Sequence, residues 1–114
     1  METMEITASE REGTALTVIT GRIDATTAPL AEEQLRQLAA EQEGAVIVDC
    51  SGLEYISSGG LRAFLIVEKE LKKQNREIVL CALRPEVEKI FRLTGFTAIF
   101  SLEQTVDDAI ANWK

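Results

Sequence analysis

Apolar and polar residues follow two rhythms along this chain, one of two residues and one of three to four. Glu5 to Ser9 alternates, with Ile6 and Ala8 on one face, and Ala15, Leu16, Val18 and Ile19 form a second, branched stretch. Gly13 lies between them and Gly21 follows the second run, so the pair reads as a β-hairpin that stops at Gly21. Asp24-Ala25-Thr26-Thr27-Ala28-Pro29 then opens a helix, because Asp and Thr cap free amides and Pro fits only the first turn. Ala31, Leu35, Leu38 and Ala39 fall on one stripe of that helix, and Gly44 marks its end.

Ala45 to Cys50 is apolar apart from Asp49, which predicts a central strand covered on both faces. Ser51-Gly52 reads as a polar turn before Leu53-Glu54-Tyr55-Ile56. From Leu61 to Lys73 the period returns to that of a helix, burying Leu61, Phe64, Leu65, Val67 and Leu71, with Lys69, Lys72 and Lys73 at its negative end. Gln74-Asn75-Arg76 connects to a further central strand, Ile78-Val79-Leu80-Cys81. Pro85 opens a short helix with Val87, Ile90 and Phe91 inward, and Gly95 is placed to end it. Ala98-Ile99-Phe100 reads as a brief strand. Ser101-Leu102-Glu103-Gln104 has the capping-box pattern, and Leu102, Val106, Ala109, Ile110 and Trp113 form the stripe of a last helix.

This order predicts a single α/β domain over residues 1–114. Its mixed sheet has four to five strands, antiparallel at the hairpin and parallel after each crossover. Right-handed crossovers place the roughly four helices mainly on one face.

Composition narrows the function. The chain is 46% apolar and 27% charged, too apolar for disorder, and its net charge of −7 argues against a nucleic-acid partner. Met1 to Glu5 has no signal-peptide character, and no apolar run approaches the roughly 20 residues that span a bilayer. A cytoplasmic protein without direct membrane insertion is expected. There is no histidine, so one chain cannot build a Ser-His-Asp or Cys-His site, and Cys50 and Cys81 lack the spacing of a metal site. Glu68, Glu70, Glu86 and Glu88 read as surface charge. Gly59-Gly60 fits neither phosphate-loop spacing. No catalytic residue, metal or cofactor is expected.

The segment Tyr55-Ile56-Ser57-Ser58-Gly59-Gly60-Leu61-Arg62 is more specific. Ser57 or Ser58 stands at a helix N-terminus, where unpaired amides and the dipole favour an anion. One cap needs one serine, worth about 1 kcal/mol, and each helical glycine costs about as much relative to alanine. Two serines followed by two glycines therefore suggest a backbone left open to close approach by another molecule.

At these residues the chain resembles the bacterial anti-sigma factor antagonists, the stand-alone STAS domains. Asp49 to Arg62 is similar to the family's signature, and Thr20-Gly21-Arg22-Ile23-Asp24 to its segment before the first helix. Cys81-Ala82-Leu83-Arg84-Pro85-Glu86-Val87 and Leu93-Thr94-Gly95-Phe96 match later landmarks, in order. The resemblance implies a serine phosphorylated by an anti-sigma factor with kinase activity, released by a metal-dependent serine phosphatase, and active in partner binding when unmodified. It places the phosphoacceptor on Ser58, with Ser57 as the alternative, and a partner surface on Asp24, Ser57, Ser58, Gly59, Gly60 and Arg62. Many members carry Asp where this chain has Ser57, and Ser or Thr where it has Gly59. STAS modules also serve lipid or anion transport complexes or sense nucleotides, and these are the competing expectations.

Overall fold

The computed structural model describes residues 4–113; Met1, Glu2 and Thr3, part of the stretch read for signal-peptide character, and Lys114 lie outside them. In chain order the elements are β1 (Met4–Arg11), β2 (Thr14–Ile23), α1 (Ala28–Ala40), β3 (Val46–Ile56), α2 (Ser58–Lys72), β4 (Ile78–Cys81), α3 (Pro85–Leu93), β5 (Ser101–Glu103) and α4 (Val106–Trp113). The strands lie side by side in that same order. β1 and β2 are antiparallel, joined through Glu12 and Gly13 at positive φ, and every later neighbour is parallel. This is the mixed α/β sheet that the sequence pattern implies.

The two faces of the sheet are covered unequally. Val46, Val48, Ile78 and Leu80 share one apolar cluster with Ala31 and Leu35 of α1, Phe64 and Val67 of α2, and Val87 and Phe91 of α3. Ile47, Val79 and Cys81, the alternate residues of β3 and β4, join Leu16 in a second cluster with Val106, Ala109 and Ile110 of α4. Three helices thus cover one face and α4 the other. Phe64, Phe91 and Phe100 close the larger core, with ring centroids 6.0 to 6.4 Å apart. Leu38 and Ile90 are only half-buried at its margin, and Leu65 is half-buried as well.

Several local expectations are corrected. Ala8 is exposed, because only the first part of edge strand β1, Met4 and Ile6, reaches the core. β2 does not stop at Gly21 but continues to Ile23, with Gly21 at φ 91°. Ser51-Gly52 is not a turn. β3 runs through it, and its register against β2 slips twice: Val18 pairs with Asp49 but Thr20 with Gly52, and Gly21 pairs with Leu53 but Arg22 with Tyr55. Each slip puts an extra residue on β3, as in a β-bulge, so Cys50, Leu53 and Ile56 reach the same core at intervals of three. Gly52 is required there, since a Cβ would lie 2.7 Å from Cγ2 of Thr20.

Ala98-Ile99-Phe100 is not a strand either. A 3-10 turn covers Phe96–Ala98, and the strand follows at Ser101–Glu103. The capping-box sequence is therefore β5 itself: Ser101 donates to Glu77 at 2.8 Å, and Leu102 packs against the larger core. The last helix is capped by Thr105, whose Oγ1 accepts from the Asp108 amide at 3.0 Å. Its Trp113 is half-buried, with Nε1 donating to Glu103 at 2.8 Å. Glu68 is not surface charge: its side chain is 2% exposed, and Oε1 accepts from the Ile78 amide at 2.7 Å, where β4 begins. Glu86 is exposed, as expected, and Glu70 bridges α2 to Arg36 of α1 at 2.9 Å.

Candidate functional site

The C-terminal ends of β2 and β3 deliver two loops to one place. Ile23 and Ile56 are a register pair, and the residues that follow them, Asp24 and Ser57, begin the two loops. The Ser57 amide donates to the Ile23 carbonyl at 2.8 Å, which ties the serine loop to the end of β2.

Ser57 and Ser58 have different roles. Ser57 is the cap of α2, extended at φ −89° and ψ 174°, with its Oγ accepting from the Gly60 amide at 3.2 Å. Ser58 is the first helical residue. It is exposed, and among the described residues its hydroxyl has no hydrogen-bond partner. The free amides and positive dipole of the first turn favour negative charge at this position.

Gly60 faces inward, contrary to the expectation of an open backbone. Gly60 is buried, and a Cβ on it would lie 2.7 Å from both Ile23 Cγ2 and Ile56 Cγ1. Gly59 faces the start of α1, where a Cβ would meet Ala28 Cβ at 3.6 Å, an ordinary contact. Gly60 is thus a close-packing residue that lets α2 begin directly on the strand ends. Gly59 adds a shallow rim.

Asp24 shapes its own loop. Its Oδ1 accepts from the Thr26 amide at 2.9 Å and the Thr27 amide at 3.1 Å, and Thr27 Oγ1 accepts in return from the Asp24 amide at 2.9 Å. The Thr27 amide, the strongest influence, holds the carboxyl below its ordinary value of 3.8; desolvation opposes it and the Thr26 amide assists. Arg62 stands on the next turn of α2. It is exposed and lines, with Ala25, Pro29, Gly59 and Ile66, a depression of about 270 Å³ between α1 and α2.

A sequence profile of the STAS domain matches residues 5–109. This chain belongs to the STAS domain family. BtrV of Bordetella bronchiseptica, assigned as an anti-sigma factor antagonist, is 33% identical over 111 residues, covering 97% of this STAS domain and 96% of that protein. The anti-sigma-B factor antagonist of Listeria monocytogenes is 30% identical over 95 residues, 82% of each chain. The crystal structure of an anti-sigma factor antagonist from Mycobacterium paratuberculosis superposes with a TM-score of 0.82 at 27% identity, covering 96% of this chain and 92% of that one.

In this STAS domain Asp24 and Ser57 follow the paired ends of β2 and β3, and Ser58, Gly59, Gly60 and Arg62 lie on the first two turns of α2. Three further residues adjoin these six, of which Thr27 was already read as part of the capped helix entry. Thr27 completes the Asp24 loop, and Arg22 lies over the ring of Tyr55 at 4.5 Å, one position before the paired Ile23 and Ile56. Asp-x-x-Thr is a readable capping signal. The Arg22–Tyr55 stack depends on the bulged register, which no local pattern carries. Among the described residues, no helix is long and apolar enough to cross a membrane.

Proposed function

We propose that this chain is a cytoplasmic anti-sigma factor antagonist, one domain over residues 1–114, switched by phosphorylation of Ser58. Unmodified, it binds an anti-sigma factor through the serine loop, the start of α1 and the first turns of α2. That anti-sigma factor is also the kinase: the γ-phosphoryl group of ATP passes to Ser58 Oγ, the hydroxyl proton is released and ADP leaves. A metal-dependent serine phosphatase hydrolyses the phosphoserine and restores the binding form.

The observation that carries this reading is the division of labour between the serines. Ser58 offers an exposed, unengaged hydroxyl, while the Ser57 oxygen is occupied by the Gly60 amide. Phosphate adds about −1.5 to −2 charges at neutral pH, which the first turn of a helix tolerates. The cost then falls on the complex, where a dianion must be desolvated or must face an acidic surface. About 3 kcal/mol there lowers affinity roughly a hundredfold.

The test is incubation with ATP and an anti-sigma factor kinase from the same organism, followed by mass spectrometry and binding measurements. Phosphate on Ser58, with weakened binding afterwards, is the expected result. Modification of Ser57 instead overturns the residue assignment. A chain that is neither modified nor bound overturns the antagonist reading and favours a transport-associated or nucleotide-sensing role.

A further inference from the structure

Six of the seven arginines in this chain are engaged. Arg11, Arg36 and Arg92 form ion pairs, Arg76 and Arg84 hold backbone carbonyls, and Arg22 lies over a ring. Arg62 is the exception: among the described residues it has no carboxylate, carbonyl or ring as partner. It is exposed on a chain carrying 19 acidic residues. Its position explains what it awaits.

Arg62 follows Ser58 by four residues on α2. At that spacing this protein pairs acid with base on three helices: Glu32 with Arg36 at 2.8 Å, Glu68 with Lys72 at 3.8 Å and Glu88 with Arg92 at 3.3 Å. In each the acid is N-terminal to the base, the favourable orientation against the helix dipole. Ser58 and Arg62 repeat the spacing and the order and lack only the anion. Phosphoserine supplies it with the right reach, because its terminal oxygens stand as many bonds from Cβ as those of glutamate. A guanidinium also matches phosphate in a two-pronged geometry.

We infer that Arg62 pairs within the helix with the phosphate carried by Ser58. This rests on the reading that Ser58 is the phosphoacceptor. Phosphorylation then alters the surface twice, adding a dianion and withdrawing the free cation that the unmodified surface presents. The modification is a local reversal of charge, with the fold unchanged.

The experiment uses the full chain with phosphoserine installed at position 58 by site-specific incorporation, and follows the second phosphate ionisation by phosphorus NMR. Arg62→Gln is expected to raise that pKa by about 0.3 of a unit at low salt. Arg62→Lys restores most of the difference, Arg92→Gln leaves it unchanged, and about 1 M salt removes it. Superimposable curves for wild type and Arg62→Gln overturn the pairing. The sample needs no kinase, so that result leaves the antagonist reading intact; a chain that the anti-sigma factor neither modifies nor binds overturns the antagonist reading and leaves the titration standing.

Discussion

The position a Cβ would take on Gly60 lies 2.7 Å from Cγ2 of Ile23. The first turn of α2 therefore rests on the end of β2 with no room for a methyl group. Gly60→Ala is expected to cost about 1 to 3 kcal/mol through overpacking. Gly59→Ala meets only ordinary contacts and replaces a helical glycine, so it should stabilise by about 0.5 to 1 kcal/mol. Urea denaturation of the two variants checks both. Equal effects would show that the glycines share one role.

Ser57 and Ser58 should separate stability from switching. Ser57→Ala removes the acceptor for the Gly60 amide and should cost about 1 kcal/mol, whereas Ser57→Asp keeps a capping oxygen and should cost little. Ser58→Ala leaves stability nearly unchanged, and Ser58→Asp preserves or slightly raises it while weakening partner binding. Thermal melts and partner titration of the four variants are the measurement.

Glu68 gives the fold a pH dependence of uncommon sign. Desolvation, the largest influence, raises its pKa from the ordinary 4.5, against the hydrogen bond from the Ile78 amide and the nearby Lys72. A raised carboxyl favours folding in its protonated form, and that contribution fades as pH rises through the folded-state value. Wild type should lose ground to Glu68→Gln as the pH rises above the ordinary carboxyl value of 4.5. Glu68→Ala strands the Ile78 amide and should cost about 1 to 3 kcal/mol. Denaturation midpoints across pH decide it; a wild type gaining on Glu68→Gln would reverse the sign.

Arg76 closes the end of α1. Its guanidinium donates to the carbonyls of Gly44 at 2.8 Å, Ala39 at 2.9 Å and Gln42 at 3.0 Å. Arg76→Ala should cost about 2 kcal/mol and Arg76→Lys should recover less than half, since an ammonium cannot span three acceptors as the planar fork does. Amide exchange of the Glu41–Gly44 segment should quicken in both.

The element order was legible because each helix and strand has its own period, and Ser57 with Ser58 stood out because helix starts have chemical signatures. What was hidden depended on long-range register. Cys50, Leu53 and Ile56 look aperiodic for a strand until two bulges place them on one face, and Ser51-Gly52 mimics a turn for the same reason. Ser101 to Gln104 copied a capping box while pairing as β5, because Glu77 and the core claimed Ser101 and Leu102. Glu68 looked like one more surface acid, since its partner is a backbone amide ten residues away. The inward role of Gly60 needed Ile23, 37 positions earlier in the numbering, and no local reading supplies that neighbour.

The pairing of Ile23 with Ile56, locked by the Ser57 amide on the Ile23 carbonyl, gives the serine loop a mount that is hidden from any partner. In the proposed function, recognition falls to the exposed residues around it, Ser58, Arg62 and Pro29. Mount and contact surface can therefore diverge independently. A genome can hold several copies of such a domain, each addressed to its own partner by a few surface replacements, without any of them losing the frame on which the serine is presented.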